Sequence, residues 1–342
     1  MIRLKQYTHW SLLGLLMLIG GLTACSKPAD TVSLSGSTMG TTYHIKLVTN
    51  DKVPSVDILH AEIDLVLEQV NDQMSTYRPD SELSSYNRLL KGQSLEVSPD
   101  TITVINEAKK LNLLTDGALD VTVGPLINLW GFGPGKRRVE PPIQSEIDAA
   151  KAMLNIDAVH VNKNRLKKGS DDLYVDLSAI AKGFGVDKIA SVLNKYDVTG
   201  YLVEIGGELK SKGAKADGSS WKIAIEKPTT DERKVQQIVS LDDMAMATSG
   251  DYRNYFEKDG KRFAHIVDPR TGNPIQHNLA SVTVLHDDCM VADGYATAMM
   301  VMGTEDALKL AKKQQLAIML VEKQGDGFKV IYSDAFKPFV TE

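Results

Sequence analysis

The chain has 342 residues, 43% hydrophobic and 24% charged, with a formal net charge of −5. This is an ordinary globular composition, long enough for one large domain or two smaller ones. No Lys/Arg run stands out, so nothing supports a nucleic-acid partner, and two cysteines, Cys25 and Cys289, do not make a disulfide framework.

The first 24 residues read as a targeting segment. Arg3 and Lys5 form a basic start, and LLGLLMLIGGL, Leu12 to Leu22, is an apolar run too short for a comfortable membrane span. It ends in LTAC, Leu22 to Cys25, which resembles the lipobox of bacterial lipoproteins. The resemblance implies cleavage before Cys25, acylation of its thiol and a short tether over residues 25–31. Cys289 is then left without a partner, and the body of the protein, residues 32–342, must be held by its core.

Past the tether, VSLSGSTMGTTYHIKLV alternates as a strand pair turning at Met39-Gly40. Val56, Leu59, Ile63, Val66, Val70 and Met74 recur at three and four, which predicts a helix with Ser55 as its cap. MSTYRPDSELSSYN, Met74 to Asn87, reads as a polar loop. A second helix is expected from about Thr101 to Leu114, ending at Asp116-Gly117. AVHV and DLYVDL read as strands, and AKGFGVDKIASVLNKY, Ala181 to Tyr196, as a helix. Strands YLVEI, WKIAIE and QQIVSL follow, then a hairpin turning at Asp259-Gly260. SVTVLH is a strand, MVADGYATAMMVMG a largely apolar helix, and LAIMLV and KVIYS close the chain as strands. Hairpins are present, and neither a regular βαβ repeat nor a dinucleotide fingerprint is. The expected fold is α+β, a single large domain with a mixed, largely antiparallel sheet and packed helices.

Asp293 and Thr297, four apart in that last helix, share one face. A buried carboxylate needs compensation. A cap for Asp293 and a carbonyl back-bond for Thr297 would explain them structurally. A hard cation such as Mg²⁺, held by oxygen ligands beside substrate phosphates, would explain them functionally. His265, at a strand end before the Asp268-Pro269 turn, suits either a satisfied core imidazole or a general base. VDLSAIAKGFGVD passes from strand to helix through small residues; it is either a tight connection or a helix N-terminus offered to phosphate, with Lys182 adding charge. Tyr77, in a loop, suits packing or stacking on a planar ligand.

Taken in order, GSTMGTTY, MSTYRPDSELSSYN, TDGALDVTVGPLINLW, VDLSAIAKGFGVD, EIGGEL, ATSGDYRNYF, HIVDPRTGNPI and VADGYATAMMVMG resemble the ApbE family of FAD:protein FMN transferases. The resemblance implies an enzyme that binds FAD and Mg²⁺, releases AMP and attaches FMN through a phosphoester to a threonine of a target protein. Expected targets are FMN-bearing subunits of the sodium-translocating NADH:quinone reductase and of Rnf complexes. It places metal ligands on Asp293, Thr297 and the carbonyl of Ala181. FAD contacts fall on Met39, Tyr77, Ala118, Leu119, Asp120, Ser178, Phe184 and Val267, and the base on His265. Leu119 stands where the family often has Phe, so it keeps bulk without an aromatic face. The lipid anchor and such targets imply the periplasmic side of the inner membrane, with outer-membrane delivery the alternative. A Mg²⁺-dependent FAD pyrophosphatase, releasing FMN and AMP, would use the same site. A non-catalytic periplasmic flavin-binding lipoprotein would need neither Asp293 nor His265.

Overall fold

A computed structural model describes residues 30–134, 138, 140–229, 234–251, 255–258 and 261–341. The targeting segment, Cys25, most of the tether and the Asp259-Gly260 turn lie outside the described residues. The chain runs β1 (Thr31–Thr38), β2 (Thr41–Val48), α1 (Val56–Met74), α2 (Glu82–Asn87), β3 (Ser94–Glu96) and α3 (Pro99–Leu114). Then come α4 (Gly124–Leu129), α5 (Gln144–Lys151), β4 (Val159–Asn162), β5 (Arg165–Lys168), α6 (Ala181–Lys195), β6 (Tyr201–Ile205) and β7 (Glu208–Lys212). The rest is β8 (Trp221–Glu226), β9 (Val235–Leu241), β10 (Ala245–Gly250), β11 (Tyr255–Lys258), β12 (Lys261–Ala264), β13 (Leu279–His286), α7 (Cys289–Met302), α8 (Thr304–Gln314), β14 (Ala317–Gln324), β15 (Gly327–Tyr332) and β16 (Val340–Thr341).

The main sheet has eight strands in the order β1-β2-β6-β7-β10-β13-β14-β15. The α+β expectation holds, and every strand pairing among the described residues is antiparallel. Toward β14 both faces of the sheet are covered, whereas β1 and β2 keep one face exposed. Along β14, Ile318 and Leu320 join the core on the helix side, whereas Met319 and Val321 meet Val239, Leu241 and Ile225 of the small β16-β9-β8 sheet. That alternation explains why these strands read as unbroken apolar runs. Leu34, Ile45 and Leu47 of the sheet pack on Leu59 and Ile63 of α1 and on Ile189 and Leu193 of α6.

The predicted turn is present: Met39 has φ 49° and Gly40 φ 73°, left-handed geometry that lets a two-residue hairpin match strand twist. Three expectations need correction. DLYVDL is extended but pairs with no strand. Val175 instead exchanges two hydrogen bonds with the Asn87 side chain, at 2.8 and 2.9 Å, and Asp176 N–H donates to Val121 O at 2.7 Å. The 74–87 loop contains α2, capped by Ser81 Oγ accepting from Ser84 N. Finally, Ser55 precedes α1 without a side-chain capping bond, whereas Ser98, unremarked in the sequence, caps α3 by accepting from Thr101 N.

Candidate active site

Helices α6 and α7 meet at their N-terminal ends and cap one another. Asp187 of α6 accepts from the amides of Cys289 (3.2 Å) and Met290 (2.9 Å) at the start of α7. Asp293 of α7 accepts from the Gly183 amide in the first turn of α6 at 3.0 Å. Each carboxylate thus satisfies orphan donors and faces the positive end of its neighbour's dipole. Close approach requires Gly183, because a Cβ there would sit 2.3 Å from the Cys289 carbonyl oxygen. The structural role expected for Asp293 therefore exists, though it caps the neighbouring helix rather than its own. Thr297 Oγ1 faces β10 rather than its own helix backbone, 3.3 Å from Ser249 Oγ.

Capping does not exhaust the charge. Asp293 is 2% exposed, and Glu208, at the start of β7, is 4% exposed. One ammonium serves both: Lys182 Nζ stands 3.5 Å from Asp293 Oδ2 and 3.4 Å from Glu208 Oε1. Glu208 Oε2 is buried without a hydrogen-bond partner. Burial lifts the Glu208 carboxyl to about 8, against the pull of Lys182, and lifts Asp293 as well. Burial opposes the Lys182 charge, but the two carboxylates outweigh it and hold its pKa above the ordinary lysine value.

This cluster floors a cavity of about 420 Å³. Its walls include Ala118, Leu119, Asp120, Ser178, His265 and Val267. A second cavity, of about 650 Å³, is lined by Met39, Ala181 and Asn71 among others. Tyr77, Ser178 and Lys182 border both, so the two form neighbouring chambers around one lysine. Tyr77 is 65% exposed, an aromatic face left at the mouth. Asp120 Oδ1 accepts from the amide and hydroxyl of Thr122 (2.7 and 2.6 Å), yet burial raises its pKa. Asp176 Oδ1 likewise accepts from Ser178 N and Oγ, at 2.8 and 2.5 Å.

His265 follows β12 directly and is braced by aromatics. The Phe132 ring meets it edge-on at 6.4 Å between centroids. Phe132 neighbours Phe256 at 5.8 Å, Phe256 stacks on Phe263 at 5.0 Å, and Phe263 on Trp130 at 5.6 Å. Trp130 Nε1 donates to Gly272 O at 2.9 Å, which ties this stack to the turn after His265. Within that turn Asp268 accepts from Arg270 Nε and from its terminal guanidinium nitrogen, both at 2.9 Å.

The structure thus gathers Tyr77, Ala118, Leu119, Asp120, Ser178, His265, Val267, Asp293 and Thr297 on one cavity, with Met39 and Ala181 on its neighbour. Phe184 lines neither; it is 6% exposed and packed in the core, with Lys188 Nζ 5.8 Å from its ring centre. Of the two readings of the N-terminus of α6, its amides fit the tight connection better than the phosphate cradle. Ala181 N is bonded to Leu177 O and Gly183 N to Asp293, so two of its first three amides are already taken. Glu208 has no mark in the local sequence, because its partner Lys182 lies on another element, and Asp176 reads only as part of the turn it makes with Ser178.

The donors around Asp293 suit a hard cation. Asp293 offers carboxylate oxygens and Thr297, on the same cavity, a hydroxyl, and no group of three His, Cys, Asp or Glu side chains among the described residues forms a metal cage. A divalent cation would hold Asp293, and with it Glu208, in the charged form that burial opposes, and water or substrate phosphates could complete the shell.

The sequence model of the ApbE family matches residues 39–320. The chain belongs to the ApbE family. An FAD:protein FMN transferase of Vibrio cholerae is 51% identical over 332 residues, 97% of this chain and 98% of the relative. The solved structure of a flavin transferase ApbE from Vibrio cholerae superposes with a TM-score of 0.85 at 51% identity, covering 91% of this chain and 100% of that one. The apo form of a flavinyl transferase ApbE from Pseudomonas stutzeri gives a TM-score of 0.85 at 41% identity, covering 91% and 97%.

Proposed function

We propose that the chain, a transferase that moves FMN from FAD onto protein, does so with Mg²⁺ at the Asp293 cluster and a threonine hydroxyl as acceptor, releasing AMP. The observation that carries this reading is the Lys182 ammonium shared by two buried acids, Asp293 and Glu208, under a cavity that His265 also lines. The threonine oxygen bonds to the phosphorus of the FMN half, the bond to the AMP half breaks, and the hydroxyl proton passes to His265. Mg²⁺ on Asp293, Thr297 Oγ1 and the Ala181 carbonyl would neutralise charge developing on the phosphate oxygens. His265 has the task a threonine nucleophile requires, since a neutral hydroxyl attacks poorly without a base. Lys182, bordering both chambers, places an ammonium beside the pyrophosphate. Tyr77, exposed at the mouth, offers a face to a planar ring.

The acceptors in this reading are FMN-bearing subunits of the sodium-translocating NADH:quinone reductase or of Rnf-type complexes. Acylated Cys25 holds the enzyme on the periplasmic side of the inner membrane, where such subunits are reachable. Incubating a candidate acceptor with FAD and Mg²⁺ should add the mass of FMN to a threonine. AMP release from FAD with the acceptor left unmodified would make the chain an FAD pyrophosphatase instead.

A further inference from the structure

We infer that Lys182 is a stand-in cation that keeps the metal site compensated while empty, and that Glu208 is the carboxylate that receives it when a divalent cation binds Asp293. The inference rests on the metal reading above and deepens it. Its starting point is the position of the ammonium. Lys182 Nζ lies 3.4 Å from Glu208 and 3.5 Å from Asp293, committed to neither. A charge-assisted N–H···O contact settles at about 2.7–2.9 Å, so both contacts are longer than the optimum for either partner alone. Asp293 has a second fixed partner, the Gly183 amide at 3.0 Å, and does not need the lysine for its hydrogen bonding. Glu208 does: Oε2 is buried and has no partner at all. A receiving acceptor is therefore already in place, 4% exposed and on the cavity wall.

Charge supplies the driving force. A buried carboxylate without a counter-ion is costly, so the empty site must hold a cation near Asp293. A divalent ion on Asp293 does that task better and repels an ammonium only a few ångströms away. The lysine then closes on Glu208, shortening one contact and giving up the other. Glu208 is a positioning residue in this account: it acts on metal affinity through Lys182, not by touching the metal. The lysine remains at the border of the two chambers, where the pyrophosphate would lie.

The test is a double-mutant cycle on Mg²⁺ affinity of the folded protein without FAD, read by calorimetry. Lys182→Met removes the competitor and should tighten Mg²⁺ binding about tenfold or more. Glu208→Gln removes the receiver and should weaken binding by about the same factor. In Lys182→Met/Glu208→Gln there is no ammonium to relocate, so affinity should match Lys182→Met. If the double variant instead loses the Glu208 factor again, Glu208 is a through-space charge or a ligand and the exchange is overturned. Wild-type protein gives an independent reading should Lys182→Met fail to fold. A crystal structure with Mg²⁺ should show Lys182 Nζ within about 3 Å of Glu208 and detached from Asp293. An ammonium still shared between both carboxylates beside bound Mg²⁺ would overturn the exchange alone. Wild-type protein that binds no Mg²⁺ would overturn the metal reading and the exchange together.

Discussion

At the scale of single residues, Asp293 has two tasks that one substitution can separate. Asn at this position still offers a carbonyl oxygen to the Gly183 amide, which Asp293 meets at 3.0 Å, but carries no charge. If the carboxylate only capped α6, Asp293→Asn would remain active. As a metal ligand it should lose transfer by at least about 10²-fold while its far-ultraviolet circular dichroism stays that of wild type. His265 calls for a different separation. A base acts on the transition state and not on bound FAD, so His265→Ala should keep FAD affinity, measured by fluorescence quenching. Its transfer rate should fall about 10²–10⁴-fold. The wild-type rate should also decline on acidification, because an imidazolium cannot accept the threonine proton. Loss of FAD affinity in step with rate would make His265 a structural residue. Asp293 and Thr297 were legible in the sequence because a helix places positions four apart on one face. Glu208 was not, since its neighbour Lys182 reaches it only through the α6–β7 packing.

Among elements, the mutual capping of α6 and α7 is the joint on which the site turns. Gly183→Ala would place a Cβ 2.3 Å from the Cys289 carbonyl oxygen and push the helices apart. The expected cost is about 1–3 kcal/mol, read as a lowered thermal midpoint, together with weaker Mg²⁺ binding as Asp293 shifts. Asp187→Ala should cost about 1–2 kcal/mol by uncapping α7, and it leaves Lys210 without its 2.8 Å partner. A melting curve identical to wild type would show that the α7 amides find other acceptors. Strong periodicity made the long elements legible: α1, α6, α7 and the hairpin at Met39-Gly40 stand close to where the pattern placed them. DLYVDL misled because strand-like alternation says nothing about what bonds the backbone, and here an asparagine side chain does so. The short helices α2 and α5 span too few turns for a periodic signal.

For the whole molecule, the anchor proposed at Cys25 would fix where the enzyme works. Cys25→Ser should appear in the soluble periplasmic fraction or remain uncleaved. Unchanged detergent-dependent extraction with normal signal cleavage would rule out the lipid. The α+β class was legible from hairpins and scattered helices, but the order of the strands was not. In the eight-stranded sheet β7 neighbours β10, and β10 neighbours β13, joining segments that nothing in the local pattern connects.

That strand order also governs how the protein comes to exist. Lys182 and Asp293 are 111 positions apart, and the strand bearing Thr248 and Ser249 finds its second neighbour only at β13. Pairings so distant fold slowly, because loop closure precedes any reward from contact. A chain emerging from synthesis therefore carries Lys182 and Glu208 with Asp293 still missing, beside an open β10 edge. Such an edge invites pairing with another chain. Chains ended before residue 279 should aggregate rather than accumulate as inactive monomers, and the demand on chaperones should fall only once β13 has docked.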